Sequence, residues 1–66
     1  MQNAVKAEVF LQSLALAVAR NNVGAAIPIH QVVKNEGLTL AEYHDIEANP
    51  TFQRHLAKYE QELTNS

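Results

Sequence analysis

Gly37-Leu38-Thr39-Leu40-Ala41-Glu42-Tyr43-His44-Asp45-Ile46-Glu47-Ala48-Asn49-Pro50 closes one helix, builds a second and opens a third within fourteen residues. Gly37 supplies the left-handed backbone that ends a helix at little steric cost. Thr39 is placed to cap the next helix, Glu42 three residues on is placed to return the bond, and Leu38 is placed to pack on Tyr43. Asn49 is the cap of a further helix, with Pro50 at its first position. Between these signals Leu40, Tyr43 and Ile46 line one side of a helix spanning about 40–48. Ala41, Glu42, His44, Asp45, Glu47 and Ala48 are left outward or at its edges. Such spacing forces sharp turns between short helices, the means by which small recognition domains present one helix on a scaffold.

Working outward, Phe52, Leu56, Tyr59 and Leu63 recur at the four-three-four spacing of an amphipathic helix over about 50–63, and Thr64-Asn65-Ser66 is expected to fray. On the amino-terminal side, Pro28 belongs at the first turn of a helix over about 28–36, with a turn of helix before it, kinked at Pro28, as the alternative. Residues 3–20 lack Gly and Pro and form the longest helix, which Asn21-Asn22 and Gly24 punctuate. At 100° per residue, Phe10, Leu11, Leu14, Ala17 and Val18 make its core stripe. Val5, Val9 and Leu16 cluster on the far side. Three readings of that cluster stay open: a helix wrapped on two sides, pairing with another copy, or scattered exposed aliphatics. The fold expected is all-α: a single compact four-helix domain over residues 1–66 with a helix-turn-helix at its centre.

Size and composition narrow the function. Sixty-six residues bury only a modest core, so any catalytic pocket would be shallow. Without cysteine there is neither a disulfide nor a thiolate zinc cluster. No signal-peptide pattern is evident, and the apolar run from Phe10 to Ala19 is far shorter than the ~20 residues a bilayer span needs, so the expected setting is cytoplasmic, with no membrane partner. A net charge of −2 speaks against a chain that holds nucleic acid mainly by a basic surface. Several copies in an oligomer would add their small contributions.

With Gly37 set at the glycine of a helix-turn-helix, Val32, Leu38, Tyr43 and Ile46 occupy four of the five positions that are usually apolar. Glu36 falls on the fifth, and Val33 sits where a small residue is usual. A plain helical hairpin would produce similar spacings. The run Gly37-Leu38-Thr39 through Tyr43, then Asn49-Pro50-Thr51-Phe52 and an amphipathic helix, resembles the amino-terminal helix-turn-helix region of tailed-phage small terminase subunits over roughly residues 22–63. The resemblance implies a role in viral genome packaging, in which an oligomeric ring recognises double-stranded DNA and regulates the large terminase subunit. The interval from Asn22 to Gly37 is longer than that family's second helix. Glu42, Asp45 and Glu47 stand where the family carries Arg, Lys, Asn or Gln. The family's central oligomerisation region and its tail for the large subunit have no counterpart in these residues, which correspond to a DNA-binding domain alone or a reduced relative.

Read residue by residue, the third helix offers a groove only Thr39 and His44 as plausible donors, while Lys34, Arg54 and Lys58 are the candidate phosphate contacts, with Arg20 reaching from the end of the first helix. Arg54 and Lys58 sit four apart, and Lys58 precedes Glu62 by four, so ordinary helical pairing is the alternative for part of this pattern. His30, His44 and His55 form no close pair, and His44 with Glu47 gives two ligands at best, so neither metal nor cofactor is expected. Exposed carboxylates such as Glu42 and Asp45 lack a pocket, and no phosphate-cradling loop or nucleophile-base pair occurs, so catalysis is not expected. Two functions remain. One is a DNA-binding module acting as an oligomer. The other is a small acidic helical protein-interaction module that self-associates through Val5, Val9 and Leu16 and binds a protein partner without DNA.

Overall fold

The computed structural model describes residues 2–25 and 27–65, with side chains described for 8–24 and 27–65. It is an all-α four-helix domain: α1 (Gln2–Arg20), α2 (Ile29–Asn35), α3 (Leu40–Glu47) and α4 (Pro50–Asn65). The pairing of α1 with α4 is the principal contact, and α3 touches both α2 and α4. Asn22 donates to Glu60 Oε2 at 2.8 Å, and Leu14 and Phe52, separated by the same 38 positions, are both fully buried in one core. The two long helices therefore run side by side in the same direction, and α2 and α3 carry the chain back between them.

The turn chemistry appears as expected. Gly37 adopts φ 79°, its N–H donates to Lys34 O and the Leu38 N–H donates to Val33 O, each at 3.0 Å. These are the two bonds of a Schellman ending, and Leu38 packs back on the core as that motif favours. Thr39 and Glu42 form a complete capping box, and Asn49 Oδ1 accepts from the Thr51 N–H at 2.8 Å ahead of the α4 turn.

Elsewhere the structure departs from expectation. The first α-helix ends at Arg20 as expected, but Asn21-Asn22 opens no loop there: the chain continues as a π-helical turn over Asn21–Ala25. The buried Asn21 side chain then closes the following loop, accepting from the Ile27 N–H at 2.8 Å and donating to the Ile27 carbonyl at 2.9 Å. Pro28 caps α2 from outside (φ −58°, ψ 142°) instead of lying in its first turn. Its extended ψ suits a residue that lacks a side-chain cap and leads directly into Ile29. At the other end α4 holds through Asn65, with the Thr64 hydroxyl donating to the Glu60 carbonyl at 2.7 Å.

The core stripe of α1 is also rotated. Leu14, Ala15, Val18 and Ala19 are buried, whereas Phe10 is 36% exposed and Ala17 only half-buried. The buried edge is the one that carries the small side chains at 15 and 19, which suit close helix packing, and Phe10 lies off it. Leu40 likewise is exposed, so α3 is anchored by Tyr43 and the half-buried Ile46. Tyr43 meets Phe52 edge-to-face at 6.0 Å, tying α3 to α4. Phe52, Leu14, Val18 and Val33 are the largest fully buried side chains, each contributing roughly 1.5–3 kcal/mol by leaving water.

Candidate nucleic-acid interface

Between α2 and α3 the turn from Glu36 to Thr39 delivers α3 with its outer face uncovered: Ala41, Glu42, His44, Asp45, Glu47 and Ala48 are all exposed. The chemistry of that face is set by its own internal bonds. Thr39 Oγ1 accepts from the Glu42 N–H at 3.2 Å and lies 3.1 Å from Glu42 Oε1, which also accepts from the Thr39 N–H at 2.9 Å. The backbone N–H of Thr39, and secondarily its hydroxyl, hold the Glu42 carboxyl below the usual carboxylate range. The Thr39 hydroxyl is thus engaged by the cap. His44 Nδ1 lies 2.9 Å from Glu47 Oε1, both side chains remaining about half or more exposed (62% and 48%). Two of the three acids on this face therefore have structural partners, and Asp45 is the carboxylate without a bond among the described residues.

The basic residues flank α3 on other elements. Lys34 sits exposed in the last turn of α2. Arg54 and Lys58, one turn apart and exposed on α4, lie roughly opposite Phe52, Leu56 and Tyr59 around that helix and face away from the core. Among the described residues no hydrogen bond or ion pair joins any two of Lys34, Thr39, His44, Arg54 and Lys58. The alternative pairing of Lys58 with Glu62 is not formed, and the His44–Glu47 contact is the single His, Lys or Arg to carboxylate contact among the described residues. No group of three or more metal-ligating side chains occurs among the described residues.

Of the expected interface between copies, Val9 is 58% exposed and Leu16 half-buried, while the Val5 side chain lies outside the described residues. One feature with no counterpart in the sequence-based expectations is an open cleft of about 190 Å³ between the end of α1 and α2, lined by the apolar Ala17, Ile27 and Val32 and by the polar Arg20, Asn21, Asn35 and Glu36. Its signal was present in the small apolar run after Asn21, a buried amide that folds the loop back across it.

Burial shifts one further group. The Tyr43 hydroxyl is pushed above its ordinary pKa by desolvation first and by Glu47 and Glu60 next. No described helix is long and apolar enough to cross a membrane. Comparison with protein-family models, with curated proteins and with solved structures found no match to this chain.

Proposed function

We propose that the chain is a DNA-binding helix-turn-helix module of a small-terminase-like viral packaging complex, acting in the host cytoplasm as an oligomer alongside a large terminase subunit. The observation that carries the reading is the α2–turn–α3 unit, in which a glycine-ended helix passes through a four-residue turn into a fully capped helix with an open outer face. Phosphates would be met by Lys34, Arg54 and Lys58, and His44 is the side chain that reaches a base edge or phosphate. With so few cations per copy, affinity depends on several copies binding together.

The test is fluorescence anisotropy of a labelled 30-base-pair duplex at low and moderate salt. The expected result is a complex that weakens steeply with salt and is lost in the Lys34→Glu, Arg54→Glu double variant. No binding at low salt, or binding indifferent to both salt and those charges, overturns the reading.

A second reading, a protein-interaction module, is favoured by one specific observation: Val9 and Phe10 lie exposed on α1 while α3 presents Asp45 and Glu47 outward. An oligomer that persists in salt and ignores DNA selects it.

A further inference from the structure

Of the two side chains on the exposed side of α3 with a hydrogen to offer DNA, the fold has already used one: the Thr39 hydroxyl belongs to the cap. His44 is left, and its ring is engaged as well. Nδ1 lies 2.9 Å from Glu47 Oε1, on a side chain that is 62% exposed. An ionised carboxylate only accepts, so the hydrogen in that bond sits on Nδ1. A neutral imidazole has a single ring N–H, and the nitrogen facing Glu47 carries it. Nε2, the nitrogen left for a ligand, is then a bare acceptor.

That tautomer is the wrong partner for a duplex met through its phosphates. Phosphate oxygens accept, as do guanine N7 and O6. A bare Nε2 set against any of them places lone pair on lone pair. The surroundings add to the mismatch, because Glu42, Asp45 and Glu47 share the exposed face of α3 with His44. A second proton, on Nε2, changes both at once: it turns Nε2 into a donor and sets a positive charge among the three carboxylates. Histidine is the side chain suited to gain that proton between pH 5 and 8.

Resting on the DNA-binding reading above, we propose that His44 contacts DNA only as the imidazolium, because Glu47 fixes its neutral form as the Nδ1–H tautomer, so that each copy takes up one proton as it binds. The proton comes from solvent. The bound ring then donates to Glu47 Oε1 through Nδ1 and to an acceptor of the DNA through Nε2. Glu47 is a positioning residue, touching the ring and not the duplex. The neighbouring elements supply the ring with no competing partner. From α2 come Lys34 and Glu36 at the entrance to the turn. From α4 comes Gln53, whose amide donates to the Glu47 carbonyl at 2.8 Å, followed by Arg54, while Glu60 acts on the Tyr43 hydroxyl. Among the described residues none of these bonds His44.

Two measurements on the full chain test the tautomer and the DNA contact separately. Nitrogen-15 NMR at about pH 9, above the range in which histidine ordinarily titrates, is expected to show His44 with hydrogen on Nδ1 and a bare Nε2. In Glu47→Gln, whose amide donates as well as accepts, that preference is expected to be lost. The second measurement is anisotropy of a labelled duplex at fixed low salt, from about pH 8 to about pH 6. Parent affinity is expected to rise as pH falls, by up to about tenfold per pH unit for each proton taken up. The chain also holds His30 and His55, so the deciding quantity is the change in slope between variants. His44→Gln keeps a donor but takes no proton, and is expected to lower the slope by about one proton per copy. Glu47→Gln is expected to make it shallower and to tighten binding most at the high-pH end. His30→Gln is expected to leave the slope alone, as is Asp45→Asn, which removes the same charge from the same face without touching Nδ1. All four side chains are exposed, and parental circular dichroism is expected for each variant. Hydrogen on Nε2 in the free parent, or a slope that His44→Gln leaves unchanged while binding stays salt-sensitive, overturns the proton coupling and leaves the DNA-binding reading standing. A slope lowered as much by Asp45→Asn as by Glu47→Gln overturns the coupling too, reducing it to general charge. Absence of DNA binding at every pH overturns both.

Discussion

At Thr39 a single side chain decides where α3 begins. Its hydroxyl accepts from the Glu42 N–H, and the Glu42 carboxylate answers at the Thr39 N–H, so two donors that a helix start leaves open are satisfied together. Thr39→Ala is expected to destabilise the domain by about 1 kcal/mol in chemical denaturation, the usual cost of a lost N-cap. A larger loss would mean that α3 cannot form without it. Glu42 makes this cap pH-dependent. Its folded pKa lies below 4.5, so its stabilisation is complete above that pH and is lost as pH falls through the folded value. Melting temperatures of the parent and of Glu42→Gln, measured from pH 6 to pH 3, are expected to converge toward the acid end; a constant gap would show that the carboxylate charge contributes nothing. Gly37 acts by conformation alone, since nothing lies within 4 Å of a Cβ built there, yet φ is 79°. Gly37→Ala is therefore expected to cost about 1 kcal/mol through strain in the left-handed region, read from the denaturation midpoint.

Among the elements, the link from α1 to α2 shows how a polar side chain can substitute for secondary structure. Asn21 is buried, and its amide pairs with both backbone groups of Ile27, in the manner of one rung of a sheet ladder. Removing the amide leaves the Ile27 N–H and carbonyl without those partners. Asn21→Ala is expected to cost about 1–3 kcal/mol and to raise hydrogen exchange at the Ile27 amide selectively. Protection there equal to the parent's would show that the loop is held by packing instead. Gln53 performs a related service for α3, donating to the Glu47 carbonyl at 2.8 Å. Neither role was legible in sequence, because an amide's partner six residues away depends on how the intervening chain turns. Helix starts and stops were legible, because glycine, proline and capping residues act on groups within three or four positions of themselves.

For the whole molecule the margin is narrow. At ~0.05–0.15 kcal/mol per residue, a 66-residue domain holds roughly 3–10 kcal/mol. Phe52 is fully buried against Tyr43 at the junction of α3 and α4, and its truncation to alanine costs about 3–5 kcal/mol in comparable cores. Phe52→Ala is accordingly expected to leave a substantial unfolded population at 25 °C by circular dichroism; a fully cooperative, near-parental melt would show that the core relaxes around the cavity. A domain this close to its threshold gains from association, since anything that binds only the folded chain adds to its stability. The proposed binding of several copies on DNA acts in that direction.

The sequence by itself determined the four helices, the glycine-ended α2, the capped α3 and the proline-led α4, because each rests on backbone bonds that neighbouring side chains make or block. It also determined the sparse positive charge. Only the tertiary structure decided which edge of α1 is buried. Periodicity alone placed Phe10 inside, but the buried edge of α1 is the one that carries Ala15 and Ala19. Leu40, which periodicity also placed inside, is exposed, and a cleft lined in part by Asn21 opens between α1 and α2. Local signals specify where a helix begins and ends; its rotation about its own axis is a compromise among all its neighbours, which no single stretch of sequence contains.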